Sequence, residues 1–132
     1  MSIKGIRDAI KTGLKTIDKL EAYDNAPDNI NPPCAFPIPK DGTYDFTAGN
    51  CYELGFEILL LLGRQGDIEE VQEKLDDYLA PTGSRSIKAA LEAADYGSHA
   101  DTVRVSGFRD YGGIVFNGIV YIGVKFDMYA LV

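Results

Sequence analysis

The sequence predicts an α+β fold, with helices packed on a mainly antiparallel sheet of about four to five strands. Three observations predict it. Apolar residues recur at helical spacing at the start and again in the middle of the chain. They alternate at strand period over residues 50–62, and the final third carries a strand, Asn-Gly, strand pattern. The order is helix, extended segment, two strands, two helices, three strands. Such segregated runs differ from the regular βαβ alternation of a parallel sheet. A chain of 132 residues is sized for one domain spanning 1–132.

Ile6, Ile10, Gly13, Leu14, Ile17 and Leu20 place one apolar stripe on a helix running from about Ser2, a plausible N-cap, to Glu21. Lys4, Lys11, Lys15 and Lys19 lie mostly off that stripe, which is narrow and lacks Phe or Trp. Docking on the rest of the domain is favoured over a membrane surface. Residues 24–49 then read as an extended arm or loop. Pro27, Pro32, Pro33, Pro37 and Pro39 cannot donate to a ladder, yet Ile30, Cys34, Ala35, Phe36 and Ile38 are unlike a spacer. Either a self-packed loop or an arm laid in a groove, of this domain or of a neighbour, fits. Gly42–Thr47 reads as a short strand, hairpinned through Ala48 and Gly49 to the next.

Tyr52, Leu54, Phe56, Ile58, Leu60 and Leu62 alternate with Glu53, Gly55 and Glu57, so this strand has one wet face. From Leu59 onward both faces turn apolar, which predicts burial on two sides. After a turn at Gly63–Gly66, Asp67 and Glu70 form a capping-box-like pair. Ile68, Val71, Leu75, Tyr78 and Leu79 make the stripe of that helix, which Pro81 and Gly83 end. Ser84 or Ser86 caps a further helix with Ile87, Ala90, Leu91 and Ala94 inward and Gly97 at its close. Strands are predicted at Thr102–Ser106, at Ile114–Phe116 and at Ile119–Tyr129, the last two joined by a type I′ Asn117-Gly118 turn. Val120, Ile122, Val124, Phe126 and Met128 share one side of the final strand; Lys125 and Asp127 mark the wetter side.

The net charge of −7 disfavours a protein that grips nucleic acid by neutralising phosphates. The acidity is local: residues 24–49 and 67–80 carry most of it, whereas the chain after Pro81 is balanced. The bland reading of the second run is a solvated helix face; the sharper one is an anionic surface that repels a polyanion. Cys34 and Cys51 are the only cysteines and, with no secretory signal in view, are read as reduced. The longest apolar run, Ile58–Leu62, is too short to cross a bilayer.

Reactive clusters are sparse. Asp95, Ser98 and His99 make a triad on paper, but no nucleophile elbow surrounds Ser98 or Ser106, and Gly97 interrupts the helix between them. One His and two widely spaced Cys do not make a usual zinc site. Asp76 and Asp77 project to different helix faces. Gly112-Gly113 lies in a strand connection, while Gly83, Ser84 and Ser86 precede a helix and read as a cap, with Arg85 leaving a weak anion site open. The expectation is no enzyme, no cofactor and no metal.

As a whole the order of segments is similar to that of tail terminator proteins of long-tailed (siphovirus-type) bacteriophages. The resemblance rests on the opening amphipathic helix and on the arm Pro32-Pro33-Cys34-Ala35-Phe36-Pro37-Ile38-Pro39. The strand Tyr52–Leu62, the paired helices Val71–Leu79 and Ser86–Ala94, and the terminal hairpin Gly113–Tyr129 complete it. It implies a homohexameric ring in the virion, made in the host cytoplasm. Such a ring caps the head-proximal end of the tail tube, stops the tube protein from adding, and joins the tail to the head-to-tail connector protein. DNA then passes through the lumen without specific binding. On this reading Phe36, Ile38, Tyr44 and Phe46 contact a neighbouring subunit, and Glu53, Glu57, Asp76 and Asp77 are candidates for an acidic lumen. The alternatives are another head–tail joining protein (tail completion or head closure) and a cytosolic ligand-binding or regulatory α+β module. A small enzyme with an unfamiliar site is a more distant third.

Overall fold

The backbone of the computed structural model follows the alternation of the sequence closely, and departs from it where prolines and bulges intervene. The structure describes residues 3–17, 20–30, 32–47, 51–64, 75–97, 100 and 102–131. Ser2, the turn residues Ala48, Gly49, Gln65 and Gly66, the Asp67 and Glu70 cap, Ile68, Val71, Ser98 and His99 lie outside them. Helix α1 spans Ile3–Leu14, strand β1 Glu21–Ala22, β2 Cys34–Thr47 and β3 Cys51–Arg64. Residues 75–79 are helical (α2), α3 spans Ile87–Ala93, β4 Thr102–Phe116 and β5 Ile119–Leu131. The fold is therefore α+β, with five strands in the order β1-β2-β3-β5-β4. Among the described residues only the two-residue β1–β2 pairing is parallel.

The sheet separates two apolar clusters. On one face Leu54, Phe56, Ile58, Leu60 and Leu62 of β3 join Val124, Phe126, Met128 and Ala130 of β5. There they meet Ile6, Ile10 and Leu14 of α1, Leu75 and Tyr78 of α2, and Ile87 and Leu91 of α3. On the other face Cys34, Phe36, Leu59, Leu61, Ile114 and Tyr121 form a second cluster, against which Tyr23, Ile30, Ile38 and Phe116 pack. The double-sided burial expected from Leu59 onward is thus present. At the α1–α3 crossing a Cβ on Gly13 would lie 2.8 Å from the Ala94 Cβ and 3.2 Å from the Ala90 carbonyl oxygen, so glycine sets how closely the helices approach.

Three expectations are corrected. The first helix stops at Leu14 rather than near Glu21, because Thr16 N–H bonds the Gly13 carbonyl (3.2 Å) and Ile17 N–H the Leu14 carbonyl (3.1 Å), tightening the chain into turns. The Thr16 hydroxyl also donates to the Gly13 carbonyl at 2.6 Å. Ile17 and Leu20 stay buried all the same, which is why the apolar spacing runs past the helix end.

The second correction concerns residues 24–49, which are not one arm: Cys34–Thr47 are strand β2, paired with β3 from Cys34↔Leu61 to Thr47↔Cys51. The prolines are tolerated because of their phase. Tyr23 N–H donates to the Ala35 carbonyl (3.1 Å), so the polar groups of Ala35 point away from β3. Pro37 and Pro39 share that outward phase and leave no β3 acceptor unpaired.

Third, the expected strands Thr102–Ser106 and Ile114–Phe116 are one strand, β4. Its alternation is broken by bulges between Val105 and Gly107 and between Arg109 and Gly112. The Asn117-Gly118 turn is as expected, with φ of 50° and 77°.

Side-chain hydrogen bonds close the helix ends. Ser86 is buried; its Oγ accepts from Ala89 N–H (3.1 Å) and donates to the Ala80 carbonyl (2.5 Å). At the other end of α3 the buried Tyr96 hydroxyl donates to the Leu91 carbonyl (2.6 Å), and burial, with Glu92 nearby, pushes its pKa up. No helix among the described residues is long and apolar enough to cross a membrane.

Candidate functional site

Two surfaces stand out, and both involve the β4–β5 hairpin. The first is apolar. Among the described residues the large apolar side chains left exposed are Ile3, Phe108, Tyr111, Val115, Ile119 and Val120, and all but Ile3 lie on the β4–β5 hairpin. Val115 is 68% exposed and pairs across the hairpin with Val120; Phe108 is half exposed, its ring edge-on to Phe126 at 6.3 Å. Among the described residues the helices cover the sheet around Val105 and Met128 but not the hairpin's far end, where side chains patterned for burial are exposed.

β4 is also an edge strand. At Val105 its edge is occupied: the N–H donates to Glu92 Oε2 (3.0 Å), and the carbonyl accepts from Lys88 Nζ (3.4 Å). Lys88 and Glu92, one turn apart on α3 and paired with each other, thereby stand in for a neighbouring strand. Burial opposes ionisation of Glu92, but the hydrogen bonds from Lys88 and Val105 outweigh it and hold the carboxyl below the usual glutamate range. Next to this plug a groove of about 330 Å³ is lined by Leu79, Pro81, Val105, Phe108 and Phe126, with Arg104 at its rim.

The second surface is ionic and lies on the sheet face opposite the helices. Glu57 of β3 stands directly opposite Asp127 of β5, and Lys125 of β5 directly opposite Arg109 of β4. Like charges in register repel. The diagonals relieve this: Arg109 reaches Glu57 (3.1 Å) and Asp127 (3.3 Å), and Lys125 reaches Glu57 (3.4 Å). Asp110 joins Arg109 (2.9 Å) and Lys125 (3.7 Å), and Lys40 joins Asp127 (3.4 Å). The Asp127 charge raises the pKa of Lys40; for Arg109 partial burial works the other way, but the carboxylates prevail and raise its pKa. Three cations face three carboxylates, so the patch carries no net charge.

The residues singled out from the sequence scatter over this frame. Phe36 is fully buried in the second cluster, 5.3 Å from the Phe116 ring, and Ile38 packs on that cluster. Neither offers a free side chain to a neighbour. Tyr44 and Phe46 lie in β2, and their side chains lie outside the described residues. Glu57 is neutralised within the ionic patch, and Glu53, four residues earlier, lies on the same face of β3. Asp76 and Asp77 are exposed on α2, in the helical layer on the other side of the sheet, with Asp77 4.0 Å from Arg85. The four acids therefore do not form one surface.

Asp95 accepts a hydrogen bond from Gly97 N–H (2.8 Å), the role of a turn residue. Cys34 is buried and free, and burial, with Glu21 beside it, pushes its thiol up to about 12. Cys51 lies at the opposite end of the β2–β3 hairpin, ten positions along β3 from the partner of Cys34, or roughly 30 Å. A disulfide between them is excluded. Among the described residues no group of three or more His, Cys, Asp or Glu is placed to hold a metal ion. The sequence reading missed the exposed hairpin tip, since alternation there is the same as in the buried stretch. No protein-family model matches the chain, and no curated protein matches it significantly.

Proposed function

We propose that the protein is a structural subunit of a bacteriophage tail, of the tail terminator type. In this reading it forms a homohexameric ring that caps the head-proximal end of the tail tube, stops addition of tube protein, and joins the tail to the head-to-tail connector. The observation that carries the proposal is the concentration of exposed apolar side chains on one hairpin, Phe108, Tyr111 and Val115 on the edge strand β4 and Ile119 and Val120 on β5. Surfaces of this kind are contact surfaces for other protein chains. A ring needs two different, complementary patches on each subunit. The β4 and β2 sides of the sheet differ as such patches must, one apolar and partly plugged, the other carrying Pro37 and Pro39.

The proposal places the subunit contact on β4–β5 rather than on Phe36 and Ile38, which are committed to the subunit's own core. DNA passing without specific binding accords with the net charge of −7 and with an ionic sheet face whose charges cancel. Asp76 and Asp77, exposed on α2, are the acids best placed to repel a phosphate backbone. Sedimentation of the purified protein, alone and with tail tubes, tests the contact. Val115→Asp, which alters no buried group, abolishes ring formation or tube capping while leaving the fold intact. Unchanged assembly by this variant overturns the assignment of the hairpin as the contact.

A further inference from the structure

A segment of the chain covers the second apolar cluster, and it is held in a way that leaves it easy to lift. Residues 23–30 run from Tyr23 to Ile30, both of which pack on the cluster of Cys34, Phe36, Leu59, Leu61, Ile114 and Tyr121. Tyr23 and Ile30 are half-buried at the two ends of the segment, the Tyr23 ring 6.4 Å from that of Phe36. Tyr23 is tied to β2 through its backbone, but beyond it the ties thin out. Among the described residues the only hydrogen bond made by residues 24–30 is between the Asp28 carbonyl and the Asn117 side chain, at 3.0 Å. Asn25, Ala26, Asp28 and Asn29 are exposed. Beneath the segment, by contrast, β2, β3 and β5 are paired strands and the side chains of the cluster are buried.

We infer that residues 23–30 are a releasable strap. Asn117, at the tip of the β4–β5 hairpin, clips it shut over an apolar sheet face, and release uncovers that face without unfolding the sheet. Segments with few buried contacts and few backbone hydrogen bonds open locally, at a free energy well below that of global unfolding. The clip belongs to the hairpin that also carries the exposed Val115 and Val120, so whatever engages the hairpin tip acts on the strap as well. While the strap is closed the apolar face is hidden and the subunit is protected from association through it. The inference concerns the isolated chain and stands whether or not the chain forms a ring.

Cys34 is the built-in reporter, since it is fully buried in the covered cluster. The experiment is native-state labelling of Cys34 with a small maleimide, read by peptide mass spectrometry so that Cys51 is counted separately, across a series of low urea concentrations. Asn117→Gly keeps a residue that accepts the positive φ of the turn and removes the clip. Loss of that single hydrogen bond accelerates Cys34 labelling about five-fold. Ile30→Ala, at the other end of the strap, accelerates it independently. In both variants the rate is nearly insensitive to low urea, because local opening exposes little surface. The global urea midpoint of Asn117→Gly falls only slightly, by about 0.5 M, because the same single contact is lost from the closed state. The inference is overturned if labelling in wild type and variants rises with urea as steeply as global unfolding does, or if neither substitution changes the rate.

Discussion

Gly123 lies on β5 against the backbone of β3, and Gly123→Ala is a sharp perturbation of the sheet. A Cβ there would stand 2.0 Å from the Leu60 carbonyl oxygen, 3.0 Å from the Leu60 carbonyl carbon and 3.2 Å from the Leu61 Cα. Every one of these is backbone at the centre of the sheet, beside the bulge between Leu61 and Gly63, so no side chain can swing aside. Overpacking a core costs about 1–3 kcal/mol when side chains give way. With backbone on the far side, the cost sits at or above the top of that range, about 3 kcal/mol. With a urea m-value of about 2 kcal/mol per molar, the midpoint falls by about 1.5 M. Two other glycines serve as controls. At Gly55 the group in the way, at 2.0 Å, is the Asp41 carboxylate, a side chain that can turn out to solvent. At Gly107 nothing lies within 4 Å, and alanine there is neutral or mildly stabilising. Urea titration followed by circular dichroism ranks the three. A Gly123→Ala midpoint equal to wild type, or to Gly107→Ala, refutes the close β3–β5 approach and the bulge that produces it.

Other consequences are as direct. Phe36→Ala removes a fully buried ring and costs about 3–5 kcal/mol by chemical denaturation, whereas a residue on a free arm would cost almost nothing. Ser86→Ala removes the cap of α3 and leaves the Ala89 N–H and the Ala80 carbonyl without their partner, lowering stability by about 1–2 kcal/mol in thermal melts. The Glu92 carboxyl has a lowered pKa in the folded chain, so its contribution is complete above the ordinary glutamate value. That contribution is lost as the pH falls through the lowered one. Glu92→Gln therefore costs about 1 kcal/mol at neutral pH and little at the lowest pH at which the fold survives, as stability measured against pH will show.

Much of this fold was legible because burial and periodicity agree. The run from Leu54 to Leu62 states which side chains meet the helices and, from Leu59 on, that a second layer lies behind. Asn117-Gly118 and Ser86 carry their turn and cap chemistry locally. What was hidden depends on pairing. Pro37 and Pro39 look like evidence against a strand until the outward phase of β2 is known. The bulges at Ser106 and Asp110–Tyr111 erase the alternation that would have joined β4 into one strand. The ionic patch was half visible, as a wet face at Lys125 and Asp127, but its cross-strand partners Glu57 and Arg109 are set by register alone. The exposed hairpin tip left no trace in the sequence, because Val115 and Val120 look like core until one sees that no helix among the described residues reaches them.

The claim of a tail-capping subunit is met most directly by electron microscopy of tails assembled with and without this chain. The account predicts overlong or unjoined tails in its absence, and a ring at the head-proximal end, restoring normal length, when it is supplied. Tails of normal length that join heads and give infectious particles without it would contradict the account.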